Sequence, residues 1–377
     1  MQGASLRANL LPFQPRGMTG RDNREDPHMQ NRFPLRALLL ASAVSLSVAA
    51  PGAWAETPAD TLVVAGQIDD IISMDPGQSF ELSGQDVIKN LYDRLVDFDP
   101  TDLDAGFKPS LAESWEVSPD GKTVTLTLRE GVKFQSGNPV RAEDAAWSLQ
   151  RAVKLNLAPA FILNQFGFTA ENVDQQISFD GNKLVLKLDQ PYAQSYVLNS
   201  LASEVASVVD KETVLSHAEG EDLGNAWLST NSAGSGPFSL GTWKPNEAVQ
   251  FVSNPDYWQG APAMKRVIVR HVQESSAQRL LLEQGDVDVA RNLTPTDIEA
   301  LSTNDTLVIG DEPRGRILYM GLNQKDPILS NPAVVQAMRY LIDYQGIADS
   351  FLKGQFKIHQ NFLPEGFQLF VQFFDAA

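Results

Sequence analysis

Over residues 122–129 (KTVTLTLR), apolar Val124, Leu126 and Leu128 alternate with threonines, the period-two pattern of a strand with one face buried. Asp120-Gly121 just before it is a hairpin turn signal, and Asp180-Gly181 followed by residues 183–188 (KLVLKL) repeats the arrangement. Residues 61–65 (TLVVA) read as a buried strand ending in a loop over 72–85, and residues 248–252 and 266–271 read as further strands. Elsewhere the period is helical. Residues 87–96 place Val87, Leu91 and Leu95 on one face before Pro100 and Gly106 break the chain. A helix over 142–153 is led in by Arg141-Ala142-Glu143-Asp144, and another over 275–284 stops at Gly285. Residues 332–341 carry Pro332 in the first turn and Asn331 as cap. Residues 212–224 are polar, a surface helix and loop, and Gly234-Ser235-Gly236-Pro237 is the strongest turn cluster. The succession 266–271, 275–284 and 287–290 is strand–helix–strand, the building block of an α/β sheet. The pattern predicts an α/β fold with a β-rich insertion and no internal repeat.

Composition adds a destination. Arg32 and Arg36 precede an uncharged run of 14 residues, 37–50, followed by Ala53-Trp54-Ala55. A basic stub, a short apolar stretch and a small-x-small site are the parts of a cleavable export signal, here over 29–55 with cleavage after Ala55. The run is shorter than the roughly 20 residues that span hydrocarbon. Residues 1–28 lie upstream of Met29 and the stub, which reads as an over-extended gene start. The first 55 residues hold six Arg and three acids, so the remainder carries 24 basic and 44 acidic residues, a net of −20. Such a surface repels phosphate backbones and anionic lipid, which excludes nucleic acid as a partner. With no cysteine, thiol catalysis and a lipidated-cysteine anchor are excluded, leaving a free periplasmic protein.

Chemistry-bearing motifs are few. Ser350-Phe351-Leu352-Lys353 fits S-x-x-K, but no S-D-N or K-T-G follows, and no G-x-S-x-G exists. The four histidines are scattered, and neither H-E-x-x-H nor an EF-hand loop is present, so neither a metal site nor a cofactor is expected. Gly234 and Gly236 are followed by Ser239 where a dinucleotide fingerprint needs glycine. The residues point to a binder, not an enzyme.

Five stretches, in order, carry a resemblance. They are Ser73-Met74-Asp75-Pro76; residues 111–144; Gly234-Ser235-Gly236-Pro237-Phe238; Asn254-Pro255-Asp256-Tyr257-Trp258 with residues 279–290; and Gly321-Leu322-Asn323 with residues 331–344. Together they resemble family 5 of the bacterial extracellular solute-binding proteins, the peptide and nickel binders of ABC importers, over about residues 61–365. The resemblance implies a two-lobe periplasmic-binding-protein fold, type II-like, closing on its ligand like a hinge. Lobe I would comprise residues 56–100 and 225–318, with 101–224 an inserted β-rich subdomain. Lobe II would begin within 319–366, after a hinge crossing at 311–319, with Gly234, Gly236 and Pro237 as backbone devices at a turn near the hinge. Residues 367–377 resemble nothing in the family and read as an aberrant tail, so the second lobe is expected to be mostly missing and ligand binding weakened.

The implied function is capture of di- or oligopeptides for inner-membrane ABC permease subunits, by a monomer. Nickel chelate, opine or oligosaccharide are the alternative ligands, and a non-functional truncated product the alternative outcome. In the family the loop after the first strand lines the cleft, which makes Ser79, Phe80, Glu81, Leu82 and Ser83 candidate contacts; a solvated surface loop is the competing reading. Glu81 would pair with a peptide's α-amino group. Phe161 and Glu204 fall near cleft-facing positions of the insert, with core packing or surface placement as the competing reading. Trp115, Trp147 and Trp258 read as core.

Overall fold

In the computed structural model, residues 57–99, 102–310 and 317–359 are described; the leader over 1–55, the crossing at 311–316 and the tail 367–377 lie outside the described residues. Strand β1 (Thr61–Gly66) is followed by helix α1 (Leu82–Leu91). Next come β2 (Val96–Asp99), β3 (Asp102–Pro109), β4 (Ala112–Val117) and β5 (Thr123–Leu128). Helix α2 (Ala142–Leu155) leads to two single turns, α3 (Phe161–Asn164) and α4 (Val173–Gln176), and to the hairpin of β6 (Ile177–Asp180) and β7 (Lys183–Lys187). Helices α5 (Gln194–Leu201), α6 (Lys211–Ser216) and α7 (Asn225–Leu228) follow. The last part holds β8 (Phe238–Lys244), β9 (Ala248–Ser253), β10 (Arg266–His271), α8 (Ser275–Gln284), β11 (Val289–Ala290), α9 (Pro295–Leu301), α10 (Pro332–Leu341) and α11 (Tyr344–Asp349).

Two main sheets divide these strands. One is five-stranded, in the order β11-β1-β10-β9-β8, with β1 parallel to both β10 and β11 and the other pairs antiparallel. The other is an antiparallel four-stranded sheet, β4-β5-β7-β6. Its β5 buries Val124, Leu126 and Leu128 and leaves the threonines between them half-exposed, as the alternation requires. The largest core lies between this sheet, α2 and α5. A second core joins α1 and the loop at 68–74 to β9 of the five-stranded sheet. Trp115 and Trp258 pack half-buried against the first core and Trp147 against the second.

Helix α8 lies where the periodicity puts it, ending at Gly285 with φ +76, and connects β10 to β11 on either side of β1. Helix α10 also keeps its predicted bounds, and Asn331 caps it by accepting from the Ala333 N–H. No residue of α10 or α11 is buried, and Tyr340 and Leu341 are 81% and 82% exposed.

Helix α1 departs from the pattern. It spans 82–91 instead of 87–96, because the Leu91 carbonyl is taken from outside: Gly236 N–H donates to it at 3.2 Å and Gln135 Nε2 at 3.4 Å. Tyr92 turns extended, and Leu95 and Val96 enter the other core instead of continuing the helical face. The same contact gives the glycines of Gly234-Ser235-Gly236-Pro237 their reason. Neither adopts positive φ; the chain bends at Gly236 and Pro237, and both glycines lie against the end of α1. A Cβ on Gly234 would stand 2.1 Å from the Leu91 oxygen, and one on Gly236 2.6 Å from the Leu91 carbonyl carbon.

Between the glycines, Ser235 Oγ donates to Asp93 at 2.8 Å; Tyr257 Oη and Trp258 Nε1 donate to the same carboxylate at 2.9 and 3.0 Å. Burial pushes the Asp93 carboxyl up, and these three donors oppose it. Gly236→Ala should therefore destabilise the protein by about 1–3 kcal/mol or more in a denaturant melt, since backbone must move. Gly310→Ala, at an open position without positive φ, should stay within about 0.5 kcal/mol of the parent. Equal effects from the two would contradict the close-approach account.

Candidate functional site

In open α/β sheets, ligands collect outside the carboxyl ends of parallel strands. Here those ends belong to β11, β1 and β10, and the chain around them is tightly bonded. Beyond β1, Gln67 N–H donates to Asn292 Oδ1 at 2.9 Å and Gln67 Nε2 to the Gln273 carbonyl at 2.9 Å, while Ile68 N–H donates to His271 Nδ1 at 3.2 Å. A Cβ on Gly66 would lie 3.3 Å from Asn292 Oδ1, close enough that the Asn292 side chain would have to give by a few tenths of an ångström. Beyond β11, buried Gln278 accepts through Oε1 from the N–H groups of Arg291 and Asn292, each at 3.2 Å. The Arg291 guanidinium donates to Asp86 of α1 at 2.6 Å. The N-terminal half of α1 is thus held across the ends of β1 and β11.

The loop from Ser73 to Phe80 is fixed by a buried ion pair. Arg151, projecting from α2, donates Nη1 to Asp75 Oδ1 at 2.8 Å and Nη2 to Oδ2 at 2.6 Å, with Asp75 fully buried and Arg151 2% exposed. Asn225 Nδ2 of α7 and the Gly77 N–H fill the remaining carboxylate positions at 2.7 and 2.8 Å, and Arg151 Nε donates to the Leu223 carbonyl at 2.8 Å. Each Asp75 oxygen thus accepts two hydrogen bonds and each Arg151 guanidinium nitrogen donates one, the kind of compensation under which a buried pair is tolerated. Burial, with Asp75's charge behind it, pushes up the nearby Tyr92 phenol.

The sequence-predicted residues take different places around this loop. Phe80 emerges exposed directly after the buried stretch and meets Phe161, the first residue of α3, with ring centroids 5.6 Å apart at 89°. Glu81 is the N-cap residue of α1, and its Oε2 accepts from the Phe80 N–H at 3.1 Å. Leu82 and Ser83 form the first turn of α1 and not a loop: Leu82 is exposed, and Ser83 donates Oγ to the Gln67 carbonyl at 2.9 Å.

Ser79 is buried, its Oγ packed against Gly84 without a hydrogen-bond partner, so it does not face the cleft. Glu204 is spent inside the fold, paired at 3.3 Å with both Arg94 and Lys89. Arg291 and Asn292 are the residues that sequence reasoning missed. They follow a strand of two residues, and only the sheet order shows that β11 lies beside β1.

Two shallow hollows lie away from these strand ends. One, of about 360 Å³, is bounded by Gln135, Trp227, Asn231 and the edge of β8. The other, of about 340 Å³, is bounded by Arg141, Glu143, Asp144, Asp210 and Lys211 at the amino ends of α2 and α6. Burial pushes the Asp144 carboxyl up to about 6, with the Asp210 charge adding to the rise against the Arg141 N–H that holds it down. Asp210 is itself buried, yet donors from Ser136, Thr213 and Asn138 hold it below the usual range.

The family model described as "Bacterial extracellular solute-binding proteins, family 5 Middle" matches residues 106–377, a range that includes the residues 367–377 expected to resemble nothing in it. The "Probable D,D-dipeptide-binding periplasmic protein DdpA" of Escherichia coli is 33% identical over 342 residues, which are 90% of this chain and 63% of that protein. The murein tripeptide binding protein MppA of Escherichia coli superposes with a TM-score of 0.68 at 25% identity, covering 81% of this chain and 60% of its own. The periplasmic binding protein DppA of Helicobacter pylori, solved with the peptide STSA, gives a TM-score of 0.68 at 24% identity, with 81% and 60% covered. The chain spans between about half and two thirds of the length of the curated relatives it matches, 63%, 53% and 51% for the first three.

Two outcomes test the site's construction. Arg151→Met strands a buried carboxylate and should cost about 3–5 kcal/mol in a urea melt; a loss below 1 kcal/mol would show that the pair does not hold the loop. Asp144, with a folded value near 6 above its unfolded value, contributes stability that is present below about pH 4 and lost as pH rises through 6. The melting temperature of Asp144→Asn should therefore gain on the parent's between pH 5 and 7. A constant difference across that range would remove Asp144 as the titrating group.

Proposed function

We propose that this chain, which belongs to the bacterial extracellular solute-binding proteins of family 5, captures a small peptide-class solute in the periplasm and passes it to inner-membrane ABC permease subunits. The observation that carries the reading is the assembly at the ends of β11, β1 and β10, where Arg291 and Asn292 tie the strand ends to α1 and to the chain after β1, and exposed Phe80 and Leu82 flank Glu81 at the start of that helix. These residues offer apolar surface and a carboxylate for an ammonium group, the mixture that small-ligand sites use. Relatives named for dipeptide and murein tripeptide binding agree with it.

The division of strands supports lobe I as residues 56–100 and 225–318 with 101–224 inserted. The five-stranded sheet draws on residues 61–66 and 238–290, and the four-stranded sheet on 112–187. Lobe II would open within 319–366. The protein acts as a monomeric binder without catalytic groups, exported by the signal over 29–55.

Titration of the periplasmic protein with the dipeptide Ala-Phe, followed by amide NMR, tests the reading. The preparation should begin at Glu56, and signals of residues 67–70, 80–84 and 291–293 should shift first, while maltose shifts none. The shifts should saturate with rising dipeptide, as binding at one site requires. Shifts with maltose and none with the dipeptide would overturn the peptide reading.

A further inference from the structure

Resting on that reading and deepening it, we propose that Phe80 and Phe161 form a selectivity shelf, and that the solute carries an aromatic or large branched apolar side chain. The two rings come from different parts of the fold, the loop after β1 and the start of α3, and they meet edge to face at 5.6 Å. In that arrangement each ring covers only an edge or part of a face of the other. Phe80 remains 41% exposed and Phe161 57%.

Their supports are rigid. Residues 73–77 and 79 are buried; Gln78 and Ser79 donate their N–H groups to the Asp75 carbonyl at 2.9 and 2.8 Å, and the Phe80 N–H is held by Glu81. Phe161 follows buried Pro159 and Ala160 and precedes buried Leu163. Isolated apolar residues on a surface require no explanation, but two rings in edge-to-face contact on anchored backbone beside a strand-end site are preorganised for an apolar occupant. A third ring or a branched aliphatic group completes an aromatic cluster there, with geometry that favours aromatic contact beyond simple area. A methyl side chain would leave the shelf wet.

Saturation-transfer NMR with N-acetyl-phenylalaninamide, an uncharged probe of the side chain alone, tests the shelf. The 377-residue chain should saturate the benzyl protons strongly and the methyl of N-acetyl-alaninamide hardly at all, in line with a preference of about tenfold for the larger apolar group. Phe80→Ala and Phe161→Ala should each cut the benzyl signal by more than half while circular dichroism and the melting temperature stay at the parent's values. Phe161→Tyr should retain the signal. Benzyl saturation that persists in both alanine variants overturns the proposal, whatever the dipeptide titration shows. Ring-dependent saturation without any Ala-Phe shift would instead retain the shelf and overturn the peptide reading.

Discussion

The bidentate pair between Asp75 and Arg151 is the constraint from which the rest of the site is hung. Its two charges are taken wholly out of water, so the pair is stable only while every remaining donor and acceptor is met, here by Asn225, the Gly77 N–H and the Leu223 carbonyl. These partners come from the loop after β1, from α2 and from the α7 region. Moving any one of these neutral partners leaves a buried charged group short of a hydrogen bond, and parting Asp75 from Arg151 would leave a buried charge uncompensated. The loop therefore has one conformation, and the position at which Phe80 leaves it is decided by electrostatics some distance from the ring.

A second hub works in the same currency. Asp93, between α1 and β2, collects donors from Ser235, Tyr257 and Trp258, while the Gly234–Gly236 backbone presses on Leu91 close enough to forbid any side chain. The stretches that carry the family resemblance are thus largely hydrogen-bond hubs and close backbone contacts: Asp75, Ser235, Gly236, Tyr257 and Trp258 hold elements together and do not line the strand ends. A fold with this scaffold can change its ligand by changing residues between the hubs while the hubs keep the elements in place.

The site itself combines rigid and replaceable parts. Gln67, Ser83, Gln278 and Asn292 are committed to tying β1, α1 and β11 together, whereas Phe80, Leu82 and Phe161 present exposed apolar surface, the two rings in contact with each other. Committed residues hold the cleft's shape, and uncommitted ones are left to meet solute.

Local chemistry in the chain was enough to indicate the family and the bounds of the strongly patterned elements, while β2, β3, β4, β6, β8, α5, α7 and α9 went unread. Period-two alternation in β5, the Gly285 stop of α8, and Pro332 with its Asn331 cap in α10 depend on neighbours within a few residues, so they are legible without a fold. Legibility ended where a distant backbone intervened. Helix α1 stops at Leu91 because residues 135 and 236 take its carbonyl, and no periodicity within 82–96 records that. Ser79 and Glu204 looked like contacts by position, but one is sealed against Gly84 and the other answers Arg94 and Lys89. Arg291 and Asn292 had no signal at all, since their value depends on β11 lying beside β1, more than 200 residues away along the chain. Pairing between remote segments is set by packing and buried charge, and only the tertiary structure decides it.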